Sequence, residues 1–542
     1  MGQRIRLEGT DPMDMNTHQA LACAAADAGV DLITSYPGSP ASGMVEAVIA
    51  DAKQDGPWVE WSTNERLALE TAIGASIGGR RSLVCVKSVG VNVMLDPLMC
   101  LNLTPVHGGL VILIGDDPGG YGSQNDQDTR LLAPMLEMPM LEPASPEEAY
   151  HLLRSAFEWS EHYETPFLIR ITRSSSQFVG PVARQEKKGD ATPLGLCQDR
   201  GRFVPVPSDV VARHQDLHSR LLRLSEWAER APGNRASGGG DLGVIAAGAA
   251  FRKLQDVVDV EGGIGCRVLK LATVFPSPER LLCRFGEACR RVLVLEEQEP
   301  FLEERIAALY HRSGVEAQVL GRLSGHVHGR EGELYRWMIQ DALGRFLPEF
   351  EPSRSHLRDQ EADERPHKED HCAGSGYERI IDCLARAAAG RGEKLLLIAD
   401  PGCMVALRER LTAKYAIGSA VGVADGLSRA TREERPVAVI GDSAFFHSGL
   451  AALCNAARAG GRTMVVVLDN GGTRSTGGQP SPSSARDAFG RRALALSIPD
   501  LARACGVPHV YDFGIEAGPE ALTAGFARAL AHESLALVRV RL

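Results

Sequence analysis

The stretch VAVIGDSAFFHSGLAALCNAARAGGRTMVVVLDNGGTRSTGGQP (residues 437–480) decides how the chain folds. Its apolar run Val437–Ile440 leads straight into Gly441-Asp442-Ser443, and a second run, Met464–Leu468, leads into Asp469-Asn470-Gly471-Gly472. Two short β-branched runs joined through one helical stretch read as neighbouring parallel strands. Asp442 and Asn470 then stand at the carboxyl ends of those strands, where an open parallel sheet binds its ligands. A carboxylate, an amide oxygen and a backbone carbonyl near Gly472 form the all-oxygen set that Mg²⁺ prefers. The helix start after Asp442 and the glycine-rich loop after Asn470 would turn N–H groups toward a diphosphate. From spacing alone, the same residues also read as ordinary strand-end caps and turns.

The rhythm extends along the chain. Leu83–Val86, Leu110–Ile114, Phe167–Ile171, Val244–Ala247, Val292–Leu295, Leu395–Ala399 and Leu535–Val540 are further short apolar runs. Such runs suit strands covered on both faces by helices. Between them lie helical patterns such as Asn64–Gly78, with Leu69, Ala72, Ile73 and Ile77 on one face. The expectation is an α/β protein with doubly wound parallel sheets. At 542 residues the chain exceeds a single core. Polar residues 183–240 and charged residues 351–375 interrupt the pattern and read as an insertion and a linker. The expected organisation is therefore 10–182, the 183–240 insertion, 241–350, the 351–375 linker and 376–542. His356, His367 and His371 in the second linker read as solvated residues rather than metal ligands.

Composition excludes several classes of function. A net charge of −10 opposes a nucleic-acid surface, which needs clustered Lys and Arg. No run of about 18 apolar residues suggests a membrane span, and the N-terminus lacks the apolar core of a secretory signal. Twelve scattered cysteines without a Cys-x-x-Cys pair predict free thiols in a cytoplasmic protein.

The segments 441–456 and 465–482 closely resemble the thiamine-diphosphate-binding part of the large subunit of indolepyruvate ferredoxin oxidoreductases. The matching residues include Gly441, Asp442, Ser443, Phe445, Phe446, His447, Gly449, Asp469, Asn470, Thr476, Gly477, Gln479 and Pro480. The resemblance implies two thiamine-diphosphate-binding domains, pyrimidine-type and diphosphate-type, plus a transketolase C-terminal-like α/β domain. EWSTNERLALETAIGAS (60–76) resembles the pyrimidine-domain segment. By spacing alone, Ser62-x-x-Glu65 is a capping box; the resemblance instead turns Glu65 toward the cofactor. Tyr36-Pro37-Gly38-Ser39-Pro40 is similar to the substrate-side loop of 2-oxo acid oxidoreductases, and residues 108–130 follow the family closely. Ser39, Pro40, Asn125 and Arg130 are the expected substrate contacts. LKLATVFPSPE (269–279) and VLVLEEQEPFLEE (292–304) resemble the family's middle domain, where Glu296, Glu297 and Glu299 read as interface or helix-terminal charges.

The chain departs from that pattern in three places. Ser375 replaces an expected cysteine, leaving Cys372 and Cys403, which read as buried thiols; an iron–sulfur cluster, with its usual four thiolates, is not expected. Ser88 follows Lys87 where relatives carry His. The last strand ends at Val540-Arg541-Leu542, where relatives continue into a ferredoxin-like domain.

What the resemblance implies is oxidative decarboxylation of a 2-oxo acid, an aryl pyruvate such as indolepyruvate. Thiamine diphosphate would be held with Mg²⁺ at Asp442, Asn470 and Gly472, and Gly441, Ser443, Thr476 and Gly477 would line the cofactor. Glu65 and His447 would be catalytic. Coenzyme A as acyl acceptor, a homodimer and a smaller second subunit also follow from the family. Two alternatives stay open: a non-oxidative decarboxylase or carboligase, and a non-catalytic assembly partner.

Overall fold

The computed structural model describes residues 12–51, 56–185, 194–199, 201–329, 331–351, 372, 374–431 and 434–542. His356, His367 and His371 lie outside the described residues. The chain forms two compact units, residues 1–59 with 65–368, and residues 60–64 with 369–542.

In the second unit, six strands make one fully parallel sheet. Its order is Ala413–Lys414, Leu396–Ala399, Pro436–Gly441, Met464–Asp469, Ala536–Arg541 and His509–Gly514. Val437 pairs with Met464, and Gly441 with Leu468. All six residues of Met464–Asp469 are buried, because helices cover both faces and leave no polar alternation along the strand. On one face Tyr377, Ile380 and Leu384 pack with Val437, Val439 and Val466. On the other, Val421 and Leu453 pack with Ala438, Ile440 and Val465.

The first unit holds two further main sheets. One has seven strands in the order Thr273–Phe275, Met140–Leu141, Phe167–Thr172, Leu110–Asp116, Ser82–Lys87, Leu32–Ser35 and Trp58–Trp61. The run from Met140–Leu141 to Leu32–Ser35 is parallel, and Thr273–Phe275 joins as an antiparallel edge. The other sheet has five strands in the order Gln318–Leu320, Arg291–Leu295, Leu242–Ala247, Arg267–Leu271 and Arg235–Ser237. Val84, Ile112 and Leu168 of the larger sheet share a continuous apolar cluster with Ile245, Leu269 and Val294 of the smaller.

Two expectations change here. Residues 183–240, polar in composition, contain the 19-residue helix Val210–Ala228 and the edge strand Arg235–Ser237. That helix buries Leu217, Leu224 and Ala228, a stripe diluted by the charged residues on its remaining faces. Trp227 near its end packs edge-on against Trp159 and Phe167, with ring centroids at 4.8 and 5.5 Å. Cys372 and Cys403, expected as thiols, are joined in a disulfide with their Cα atoms 5.3 Å apart. The other ten cysteines are free.

Candidate active site

Two clusters of polar residues form, each at the carboxyl ends of parallel strands. In the second unit, strand Pro436–Gly441 ends at Asp442, which is 1% exposed. Its carboxylate accepts hydrogen bonds from the hydroxyls of Ser481 and Ser483 (3.0 Å for Ser483), and the backbone N–H of Asn470 approaches at 3.5 Å. Asp469, one strand over, accepts from the same Ser483 at 2.9 Å and pairs with Arg539. Burial, and secondarily the charge of Asp469, push the Asp442 carboxyl up to about 6.

Asn470 is oriented from both ends of its amide. Its Nδ2 donates to the Tyr377 hydroxyl at 3.0 Å, and its Oδ1 accepts from the Gly472 N–H at 3.2 Å. The loop then returns on itself: Gly472 pairs with Pro480 and Thr473 with Gln479. A Cβ on Gly472 would stand 2.8 Å from the Gln479 carbonyl, so the two arms close only around glycine. Thr473 Oγ1 donates to Ser443 Oγ at 2.9 Å, and Thr476 Oγ1 to Gln479 Oε1 at 2.7 Å. These contacts gather Gly441, Asp442, Ser443, Asn470, Gly472, Thr476 and Gly477 around one strand-end loop.

The donor set suits Mg²⁺ with a diphosphate. Carboxylate, amide and carbonyl oxygens are hard ligands, and a buried carboxylate driven toward its neutral form is one that a cation would stabilise as the anion. Ser481, Ser483 and Tyr377 were not legible as site residues. Tyr377 lies about 65 residues before Asp442 and carries no motif. Ser481-Pro482-Ser483 follows the glycine-rich loop directly, and that adjacency was the available signal.

After Asp442 the helix passes through a π-turn, Phe445–Gly449, an irregularity that often accompanies a working site. His447 is buried there, with Nδ1 2.7 Å from Ser448 Oγ. Asp400, within electrostatic reach of His447, accepts from the N–H groups of Gly418 and Ala420 at 2.7 and 2.8 Å. Burial outweighs these stabilising contacts and raises the Asp400 carboxyl to about 7. Phe445 is wholly buried in the core and meets Phe446 edge-on at 5.3 Å, so it packs the fold rather than facing a ligand.

In the first unit, Glu65 is the first residue of helix Glu65–Ile77 and is 4% exposed. The capping-box reading needs glutamate at the third helical position; here it stands at the first, and Ser62 Oγ donates to Glu60 at 2.9 Å. The Glu65 carboxylate lies against Gly90, where a Cβ would come within 2.5 Å of its Oε1.

Close by in the chain, Lys87 ends strand Ser82–Lys87. Its Nζ pairs with Asp117 at 3.2 Å and donates to the Gly122 carbonyl at 3.0 Å. Asp117 also accepts from Gly122 N–H and Ser123 Oγ, both at 2.8 Å. Burial pushes the Asp117 carboxyl up, but Lys87 and these donors outweigh it, so the net shift is downward. The loop Tyr36–Pro40 packs on the same lysine: a Cβ on Gly38 would stand 2.8 Å from Lys87 Cβ. Within that loop Pro40 is buried and Ser39 exposed. Asn125 is exposed further along the 117–128 loop.

Arg130 stands elsewhere. It is 1% exposed and held by Asp128 (2.6 Å), Glu296 (2.7 Å) and the carbonyls of Glu297 and Glu299. Its donors are thus spent on an internal network, and the substrate-carboxylate role read from sequence gives way to a structural one. Glu296 closes the same network by accepting the N–H groups of Leu302 and Glu303 at the start of helix Phe301–Ser313, the helix-terminal role expected for it.

Residues 23–176 match the family described as pyruvate flavodoxin/ferredoxin oxidoreductase, thiamine diphosphate-binding. Residues 409–540 match the thiamine pyrophosphate enzyme C-terminal binding domain. The indolepyruvate oxidoreductase subunit IorA of Methanothermobacter marburgensis is 35% identical over 96% of this chain and 85% of its own length. That of Pyrococcus abyssi is 32% identical over 94% and 81%. Among solved structures, a 2-oxoglutarate:ferredoxin oxidoreductase from Magnetococcus marinus covers 63% of this chain and 66% of its own, at 14% identity and a TM-score of 0.48.

Proposed function

The chain belongs to the indolepyruvate oxidoreductase subunit IorA family of thiamine-diphosphate-dependent 2-oxo acid oxidoreductases, and we propose from that premise how its own residues serve the reaction. That reaction is the oxidative decarboxylation of indolepyruvate. Thiamine diphosphate, when bound, supplies the carbon nucleophile for the 2-oxo group and the electron sink that lets carbon dioxide leave.

Asp442, the Asn470 amide oxygen and the Gly472 carbonyl would hold Mg²⁺, a cation that would neutralise the buried carboxylate and bind the diphosphate. Gly441, Ser443, Thr476 and Gly477 would line the phosphates with hydroxyls and backbone N–H groups. Glu65 would hold a proton on its carboxyl for exchange with the pyrimidine ring of the cofactor. Its burial keeps water from competing for that proton. His447, working beside Asp400, moves a proton at the substrate oxygen. Ser39, Pro40 and Asn125 border the substrate, beside Lys87 as Asp117 holds it.

Two electrons per turnover pass to an external acceptor or to a partner subunit. The relatives are themselves named as subunits, which supports a complex. Coenzyme A as acyl acceptor, a homodimer and a cytoplasmic setting complete the proposal.

The single observation carrying this reading is Asp442, fully buried at a strand end among oxygen donors. Purified protein with thiamine diphosphate, Mg²⁺ and indolepyruvate should release carbon dioxide in step with reduction of an artificial acceptor. Glu65→Gln should lower that rate by about 10²- to 10⁴-fold. Carbon dioxide with free aldehyde and no need of acceptor would overturn the oxidative assignment.

A further inference from the structure

Helix Val210–Ala228 carries His214 and His218, four residues apart and therefore on one face. Their ring centroids are 4.4 Å apart. Facing them is Glu137, which follows the short helix Leu132–Leu136 in a left-handed conformation (φ 54°). Each carboxylate oxygen meets one imidazole: Oε2 is 2.7 Å from His214 Nε2, and Oε1 is 2.9 Å from His218 Nε2. The three ligand atoms lie within 4.8 Å of one another. Among the described residues no other group of three His, Cys, Asp or Glu side chains converges in this way.

We propose that Glu137, His214 and His218 form a binding site for a divalent transition-metal ion of the Zn²⁺ class, separate from both strand-end clusters. Two imidazoles and one carboxylate make a borderline donor set. Mg²⁺ and Ca²⁺ favour all-oxygen cages, and soft ions favour thiolates. Three protein ligands with a fourth position open to water is an established arrangement for Zn²⁺.

The observed N···O separations are those of hydrogen bonds. Bonds of about 2.0–2.2 Å in a tetrahedron require ligand atoms about 3.3–3.5 Å apart. The side chains must therefore open by roughly half an ångström, a small change at a surface site. They have that room: the side chains of His214 and His218 are 48% and 59% exposed, and that of Glu137 is 21%. The same exposure gives an ion a way in. Glu137 also occupies a left-handed position that normally falls to Gly or Asn, and the backbone there aims its carboxylate at the helix.

A bound ion would clip helix Val210–Ala228 to the turn ahead of strand Met140–Leu141. Helix Leu132–Leu136 separates that turn from the Asp128–Arg130 network. The role is structural: it pins a helix of the polar 183–240 stretch onto the larger sheet.

The test uses full-length protein stripped with a chelator, then dialysed against Zn²⁺ in excess Mg²⁺, which fills all-oxygen sites. Bound zinc is counted in wild type, in the double variant His214→Gln/His218→Gln, and in Glu137→Gln. Wild type should retain one more equivalent than the double variant, and Glu137→Gln should bind that equivalent at least about tenfold more weakly. Co²⁺ loaded into wild type should show visible d–d bands of nitrogen and oxygen ligation. Equal zinc content in wild type and double variant would overturn the site, leaving a hydrogen-bonded His–Glu–His cluster. Co²⁺ spectra showing thiolate charge transfer alone would overturn it without recourse to any variant.

Discussion

The Asp442 carboxyl, raised to about 6 by burial, links binding to stability at a single residue. Its ordinary value is 3.8, so the folded state holds the proton more tightly than the unfolded chain does. Without a cation, ionised Asp442 therefore costs stability above pH about 6, and that cost is relieved as pH falls through 6 toward 4. Asp442→Asn should make the cofactor-free protein more stable at pH 8 by about 1–3 kcal/mol. Denaturant unfolding would measure the gain; an equal loss instead would mean the carboxylate already has a stabilising partner. The same substitution should abolish Mg²⁺-dependent thiamine diphosphate binding. In wild type that binding should weaken as pH drops below about 6, because protons compete with Mg²⁺ for the carboxylate. Gly90 offers a second residue-scale prediction. A Cβ there meets Glu65 Oε1 at 2.5 Å, so Gly90→Ala must displace the carboxylate. Turnover should fall about 10²-fold, the usual cost of a displacement near 1 Å. Cofactor affinity should hardly change, since the phosphate-binding loops are not touched. Retained turnover would mean that the position of Glu65 is not critical.

Elements differ in how far local sequence reveals them. The strands were legible because both faces are buried, which makes each a continuous apolar run, as in Leu110–Asp116 with all seven residues buried. Helix Val210–Ala228 was hidden because its inward stripe of Leu217, Leu224 and Ala228 is sparse beside its charges. Arg130 was misread for another reason: Glu296 lies 166 residues away, and nothing local signals that an arginine in a polar loop will be buried. The network it joins ties the 128–130 turn to the start of helix Phe301–Ser313, and Arg170 extends it through Asp116 at 2.6 Å. Removing one member of such a buried ion network leaves charges unpaired. Arg130→Ala should therefore destabilise the first unit by about 3–5 kcal/mol, read from the midpoint of denaturant unfolding. An unchanged midpoint with a raised KM for the 2-oxo acid would return Arg130 to the substrate.

Across the whole molecule, the residues legible in sequence are those that sit beside their own strand. Asp442 and Asn470 each follow an apolar run, and the geometry of a parallel sheet places such residues at one edge; Lys87, which ends a run in the same way, was not singled out. Residues that act through distant partners were not legible: Tyr377 on Asn470, Asp400 near His447, and Cys372 bonded to Cys403. Both strand-end clusters therefore follow from one topological rule applied in two sheets, while their supporting contacts need the tertiary structure. The proposed function rests on Glu65 activating the bound thiamine diphosphate. Its most direct test is the hydrogen–deuterium exchange rate of the thiazolium C2 proton on the protein-bound cofactor, in wild type and Glu65→Gln. Exchange should slow by about 10²-fold or more in the variant, with Mg²⁺-dependent cofactor affinity unchanged. Equal exchange rates in the two proteins would contradict it.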